Sequence, residues 1–475
     1  MSTYPHVFTE ALFLFGVVAF LTLWLLTLLF AKDPLFKKLV LASYLLRLVI
    51  ALCFFFASYL GWPFLQELQR GNGFWDFAPD SDGHHYLGGV TADSWGRGGP
   101  ASTHDFSLKY TSWVGGLYFL FGVNALYPII FNCFMASLSG LFAYLIAKRF
   151  FNVGRARVSG SLVLFWPSTL IWSTQLLKDS VASCLIFASL LGVSVLSEES
   201  SSRRTPLGRI LSYCVVALIV ILMMGFRIYL GVAMAIAGIV AFVLPDSSNF
   251  FRRGRMWKSL KASGIGFLIF FSMTFLWFAG GPSLIFRASS QGAREDTVTG
   301  HVFDRFDELL EFVSLDQIRI VRRGYRSTGG HSLMDREREL RGIWEIVTYL
   351  PRALAIGFLA PFPWQWFDSG GSTGIMRTWS APEMLLIYLI SIPLLISFWQ
   401  TGFRGPRARV FTGVFILILA VTMSLVVANL GILFRVRLQF LLPMLIFMPP
   451  VKPLLIRIKE WVRLIRLSFQ EVTFG

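Results

Sequence analysis

Charge is scarce in this chain. Only 15% of its 475 residues are Asp, Glu, Lys or Arg, against about 25% in a soluble domain, which excludes a string of water-soluble domains. Acids are the scarcer sign, 27 against 43 Lys and Arg, and the net charge is +16. Cysteine is nearly absent: Cys53, Cys133, Cys184 and Cys214 all lie in apolar runs with no metal-ligand spacing, so neither a disulfide framework nor a thiolate metal centre is expected. His6, His104 and His301 have no partner spacing that suggests a metal. There is no P-loop, dinucleotide fingerprint, zinc signature or nucleophile elbow, which argues against an ATP-driven pump and a serine hydrolase. Internal repeats and low-complexity tracts are also missing. No basic segment precedes the first apolar run, so that run reads as a retained helix rather than a cleaved leader.

What the chain has in abundance is apolar surface: 55% of residues are hydrophobic and 16% aromatic. Runs of membrane-spanning length recur from end to end. The expected fold is an all-α polytopic membrane protein with about 11 transmembrane helices. They fall near 10–31, 39–61, 127–147, 158–174, 180–196, 210–226, 229–244, 263–280, 382–399, 410–428 and 439–455. Basic residues gather in the short segments 32–38, 148–157, 197–209, 245–261 and 400–409. That is the positive-inside pattern, so the charge reports topology and contact with anionic lipid rather than nucleic acid. The N-terminus is then expected outside and the C-terminus inside.

This divides the chain into N-terminal transmembrane helices (1–61), a first outer loop (62–126) and a transmembrane bundle (127–280). An outer loop or lid region (281–381), C-terminal transmembrane helices (382–455) and a cytoplasmic amphipathic tail (456–475) follow. The stretches 112–123 and 346–366 are apolar but too short, or too rich in proline, for full spans, and read as interfacial helices. The segment 303–323 reads as an amphipathic helix, and 454–470 alternates basic and apolar residues as a helix on the inner leaflet does.

Candidate chemistry sits at the outer ends of these helices. The run Pro79-Asp80-Ser81-Asp82-Gly83-His84-His85-Tyr86 places two carboxylates and two imidazoles within a few residues. Such acids serve as a general base toward an acceptor hydroxyl, or hold a divalent cation against a pyrophosphate; the same letters are also good turn chemistry. Lys178-Asp179 puts a charged pair into an apolar hairpin, costly unless paired or facing a polar cavity. Arg227, Arg435 and Arg437 occupy outer helix ends, where positive charge is disfavoured. They suit a lipid phosphate, which guanidinium binds bidentately, or they snorkel to headgroups. In the second outer region Arg287, Arg294, Arg326 and His331 are within reach of a substrate, although solvated surface is the commoner role for each.

Three blocks resemble the GT-C superfamily of polytopic membrane glycosyltransferases, in particular its protein O-mannosyltransferase-like group. They are PDSDGHHY after a helix carrying Arg47, the run from FGVNALYP to WSTQLLKDS, and RVRLQFLLPMLIF. Together they cover roughly 40–195 and 425–450. The resemblance implies a GT-C-like bundle that takes a sugar from a polyprenyl phosphate or pyrophosphate at the periplasmic or extracellular face. The sugar would pass, with inversion, to a glycan, lipid or protein acceptor. It puts the base or metal-ligand role on Asp82, four residues before Tyr86, with Asp80 second. Lys178-Asp179 departs from the glutamate usual in that group. A divalent cation, Mg or Mn, on Asp80 and Asp82 is the only cofactor this suggests. The expected partners are the polyprenyl-linked donor, the acceptor and membrane lipids, with no nucleic acid. The expected location is a bacterial inner membrane. An O-antigen-type polymerase would depend more on arginines than acids. A lipid-linked sugar flippase would carry charges at mid-membrane, where most of these runs have none.

Overall fold

The computed structural model describes residues 10–99, 110–199, 205–243, 342–367 and 371–450, with short stretches between 319 and 340. The apolar runs become α1 (Glu10–Phe30), α2 (Pro34–Tyr59), α5 (Leu126–Phe150) and α8 (Asp179–Glu199). Further along come α9 (Pro206–Phe226), α10 (Ile228–Val243), α12 (Gly371–Thr401) and α13 (Arg407–Val426). Among the described residues seven helical stretches are long and apolar enough to cross a membrane, and two more, Ile210–Phe226 and Ile228–Ala241, are shorter. The protein is thus an all-α integral membrane protein in its described part. The expected helix at 263–280, most of that at 303–323 and the tail helix at 454–470 lie outside the described residues.

Two expected spans are broken. The run 158–174 forms α6 (Val153–Leu164) and α7 (Pro167–Trp172). Pro167 has no N–H and ends the ladder. The freed groups are re-paired from both sides. Ser168 N–H, which would have bonded Leu164 O, donates instead to Glu383 Oε2 at 2.7 Å. Leu164 O accepts from Arg47 Nη2 at 2.6 Å. The fully buried Arg47 guanidinium also donates to Ser173 Oγ at 2.7 Å and to Thr169. Buried backbone that leaves a helix needs such partners in a membrane. The last span starts earlier than expected, as α14 (Leu430–Val436) and α15 (Leu438–Met444) running into a 3-10 turn at Leu445–Phe447.

Both short apolar stretches are helices: α4 (Tyr110–Phe121) and α11 (Ile343–Leu359). The region 62–126 also holds a hairpin, β1 (Gln69–Gly71) and β2 (Phe74–Trp75), and α3 (Asp80–Gly96). The hairpin turn is Asn72-Gly73, with φ of 54° and 87°, the pairing such a turn demands. The acidic run is therefore the first turns of a helix, not a loop turn.

Close packing runs on small residues, as it does between membrane helices. A Cβ on Gly140 of α5 would lie 2.4 Å from the Leu164 side chain of α6, and one on Gly160 would lie 2.5 Å from the Phe36 ring. On α3 and α4, Gly88 meets Val114 and Gly115 meets Thr91 in the same way. By contrast α1 leaves Phe13, Leu14 and Leu29 exposed, as a lipid-facing helix does.

Charges sort to the two ends of the bundle. At one end Asp33 caps α2 and pairs with Arg157 at 2.5 Å. Arg155 and Arg409 both lie 4.6 Å from the Phe151 ring centroid there, and Arg409 bonds Phe150 O. The other end gathers the starts of α3 and α8, the α9–α10 turn and α14.

Adding one methyl at Gly160 is expected to destabilise the protein by about 1–3 kcal/mol through overpacking. Gly16→Ala, where nothing lies within 4 Å, is expected not to. Thermal unfolding of Gly160→Ala and Gly16→Ala in one detergent checks the contrast.

Candidate functional site

The geometry is built around Asp179, the first residue of α8. Its Oδ1 accepts from Arg227 Nη2 at 2.6 Å, and its Oδ2 accepts from Arg435 Nη2 at 2.8 Å. Arg227 closes the α9–α10 turn and Arg435 sits in the last turn of α14. One carboxylate thus ties three helix ends that are far apart in sequence. Arg435 reaches further: its Nη1 lies 3.0 Å from Asp80 Oδ2, and its guanidinium lies 5.8 Å from the Trp172 ring centroid. On the other side Arg227 donates to the Tyr229 hydroxyl at 2.7 Å, and that hydroxyl donates to Gln439 Oε1 at 2.8 Å.

Lys178 stands beside this cluster. Its ammonium makes no hydrogen bond or ion pair among the described residues, and burial, then the Arg227 charge, pull its pKa below the usual lysine value. The turn that presents it is pinned from α5: the Asn132 amide donates to Tyr110 Oη and to the carbonyls of Gln175 and Leu177 at 2.9, 2.8 and 3.0 Å. Three cations, Lys178, Arg227 and Arg435, face two carboxylates, Asp80 and Asp179. The excess is positive; Asp179 is buried, the three cations are half-buried and Asp80 is exposed, so an anion is the complementary ligand.

The acidic motif is divided by its helix. Residues four apart share a face, so Asp80 and His84 turn toward the cluster. The His84 ring packs on Tyr110, centroids 4.9 Å apart. Its pKa is pushed down to about 4, by burial first and by the Lys178 charge second. Asp82, His85 and Tyr86 turn the other way. Asp82 lies 3.5 Å from Arg70 Nη1, His85 Nδ1 lies 2.7 Å from the Tyr118 hydroxyl, and Tyr86 is exposed. The favoured base, Asp82, is thus away from the cationic cluster, while Asp80, placed second, is in it.

A cavity of about 310 Å3 opens beside Arg435. Its walls include Phe77, Trp172, Trp379 and Phe434, and its polar groups are Asp76, Ser168, Arg377, Ser380, Glu383, Asn429 and Arg435. Aromatic faces with a few convergent polar groups make a ligand pocket. Glu383 lies buried at its wall, where it accepts from Trp166 Nε1 at 2.9 Å and Ser168 Oγ at 3.0 Å. Described residues from the 281–381 region reach the same place: Met334 N–H donates to Ala428 O at 2.9 Å, next to the cavity residue Asn429, and Arg322 donates to Leu425 O at 2.6 Å.

Arg437 does not join the cluster. It is fully buried and donates to Ala360 O at 2.8 Å and Phe358 O at 3.3 Å, a cation at the C-terminus of α11. Arg287, Arg294, Arg326 and His331 lie outside the described residues. A divalent cation finds a poor donor set: no three His, Cys, Asp or Glu side chains converge among the described residues. Asp80 and Asp82 face opposite ways, each toward an arginine. The sequence reading missed Glu383 and Arg377. An acid inside the apolar run APEMLLIYLI was the available signal for Glu383, because a carboxylate in a membrane helix needs a partner or a cavity. Arg377 carried no such signal beyond its place among the outer charges.

Removing the central carboxylate strands two buried arginines. Asp179→Ala is expected to cost about 3–5 kcal/mol, read as a lower unfolding temperature or lost detergent-soluble protein. Asp179→Ala combined with Arg435→Ala is expected to cost less than the sum of the single changes. His84 gives a pH signature. Its folded pKa lies below the unfolded value of about 6.5, so the unfolded chain binds the extra proton and stability falls as pH drops from 6.5 toward 4. His84→Gln is expected to flatten that slope in unfolding measured across pH 4–7, leaving the part due to His85, whose pKa burial also lowers. No protein-family model and no curated protein matches the chain, so function has to be argued from this geometry.

Proposed function

We propose that the protein is a membrane glycosyltransferase that moves a sugar from a polyprenyl-phosphate-type donor to an acceptor at the membrane face bearing Asp80, Asp179 and Arg435. The observation that carries this reading is Arg435: one guanidinium lines the aromatic cavity and at the same time holds Asp80 and Asp179. Lys178, Arg227 and Arg435 supply the excess charge that a lipid phosphate needs. The aromatic walls suit the hydrophobic faces of a sugar ring. The resemblance of the acidic motif and the arginine-plus-LLP block to GT-C enzymes points the same way, as does the basic charge gathered at the opposite end.

In this reading the donor phosphate takes the Arg435 Nη1 that now contacts Asp80. Asp80, released, accepts the proton of the acceptor hydroxyl as that oxygen attacks the anomeric carbon. The bond from that carbon to the phosphate oxygen breaks on the opposite side, with inversion, and its electron pair leaves on the lipid phosphate. Lys178 and Arg435 stabilise the charge that develops there. No step needs a metal.

The test is transfer from polyprenyl-phosphate and polyprenyl-pyrophosphate sugars in proteoliposomes. Asp80→Asn is expected to lower the rate about 10²–10⁴-fold, the range for a lost general base. Arg435→Lys, which keeps charge but not the fork, is expected to impair transfer as well. Asp93→Ala, at an exposed ion pair with Arg97 on the far end of α3, is expected to change little. Full activity in Asp80→Asn with loss in Arg435→Lys would sink the base assignment and favour an arginine-led polymerase.

A further inference from the structure

A second cavity, of about 290 Å3, lies on the other side of α3. It is formed where the end of α2, the hairpin tip, α3 and the start of α5 meet. Tyr59, Asn72, Asp82, His85, Tyr86 and Asn124 line it, over a base formed by Phe55, Phe74 and Ala125. This cavity takes up the half of the acidic motif that the cationic cluster leaves unused.

Its chemistry differs from that of the first cavity. Among the described residues the only charged lining residue is Asp82, balanced by Arg70 Nη1 at 3.5 Å. No described lysine or arginine lines it, so the described lining does not favour a phosphate. What it offers is short-range hydrogen bonding: a carboxylate, two carboxamides, an imidazole and two phenols. Several of these are held in place. Asn72 is fixed in a left-handed turn with φ of 54°. The His85 ring is gripped between Phe74, 5.3 Å between centroids, and the Tyr118 hydroxyl. Tyr59 stacks on Phe55, centroids 5.7 Å apart. Tyr86 is 71% exposed at the rim. A carboxylate and amides for vicinal hydroxyls, with phenol rings for the C–H faces, make a site for an uncharged sugar.

We infer that this cavity binds a neutral sugar residue of the acceptor glycan, so that α3 separates a donor face carrying Asp80 from an acceptor face carrying Asp82, His85 and Tyr86. The inference deepens the transferase reading and rests on it for the word acceptor. Binding of a neutral sugar here stands on the cavity alone. Arg70 couples the two faces, because it pairs with Asp82 and, at 2.6 Å, with Asp76 of the first cavity.

The test is saturation-transfer NMR on the full-length protein in nanodiscs, with the methyl glycosides of glucose, mannose, galactose, N-acetylglucosamine and N-acetylgalactosamine as probes. At least one probe is expected to bind the wild type. Asp82→Ala and Tyr86→Ala are each expected to weaken it about tenfold, the loss of one or two hydrogen bonds or of a ring face. Asp82→Asn, which keeps shape and an acceptor oxygen, is expected to retain binding and separates recognition from misfolding. Asp80→Asn is expected to bind normally while failing to transfer. No binding by any probe, or binding unchanged in both Asp82→Ala and Tyr86→Ala, overturns the inference. Normal transfer by Asp80→Asn, with binding still dependent on Asp82 and Tyr86, would instead discard the base assignment and leave this site standing.

Discussion

The structure depends on one carboxylate placed between two guanidiniums. Arg227 and Arg435 come from helix ends that would repel each other if brought together alone. Two like charges about 4 Å apart repel by about 4 kcal/mol at an effective dielectric of 20. Asp179 reverses that sign. It accepts from both arginines and so fixes α8, the α9–α10 turn and α14 at one level. Asp80 extends the array to α3. The cost of burying these groups is met only because each has a hydrogen-bonding partner, and the partners alternate in sign. A site assembled this way is pre-organised for an anion, since the residual positive charge is held before any ligand arrives.

The same economy of partners shapes the cavity next door. Pro167 starts a new helix after the break that follows Leu164, and it lines the cavity. Arg47 takes the carbonyl that is freed, Glu383 takes the N–H, and Arg437 takes the carbonyls at the end of α11. Three charged side chains that would be prohibitive in lipid are thereby used to terminate backbone ladders inside protein. The space left at those terminations is what Trp172, Phe77 and Trp379 line. The cavity is thus a consequence of how the backbone is satisfied where helices end.

Much of the fold was legible because its signals are local. Apolar length gave the spans, and basic residues at 148–157 and 400–409 marked ends that do meet, through Arg155, Arg409 and Phe151. The helix break at Pro167 was not read, because LVLFWPSTLIW stays apolar throughout and the compensating partners come from residues 47 and 383. At the site, Lys178, Asp179, Arg227 and Arg435 could be picked as charges at helix ends. Arg437 looked the same on that criterion, yet two residues along a helix is about half a turn, which sends it to the opposite side. The sequence could not sort Asp80 from Asp82 for the same reason: a motif without an assigned helix has no faces, whereas α3 turns Asp80 toward Arg435 and Asp82 toward Arg70.

That assignment has a functional logic of its own. A transferase must bring two substrates to one reacting atom while keeping their recognition separate. A single helix with acids at two-residue spacing does this cheaply: Asp80 and His84 fall on one side, Asp82 and Tyr86 on the other, and the backbone between them is shared. Movement of α3 toward either cavity then shifts the groups facing both. Gly88 and Gly115 make room for the Val114 and Thr91 side chains, so that α3 and α4 pack closely, and Arg70 links the two faces at the motif end. Binding on the Asp82 side would therefore be felt at Asp80 through geometry, and in the transferase reading proposed above it would place the acceptor before the proton is moved.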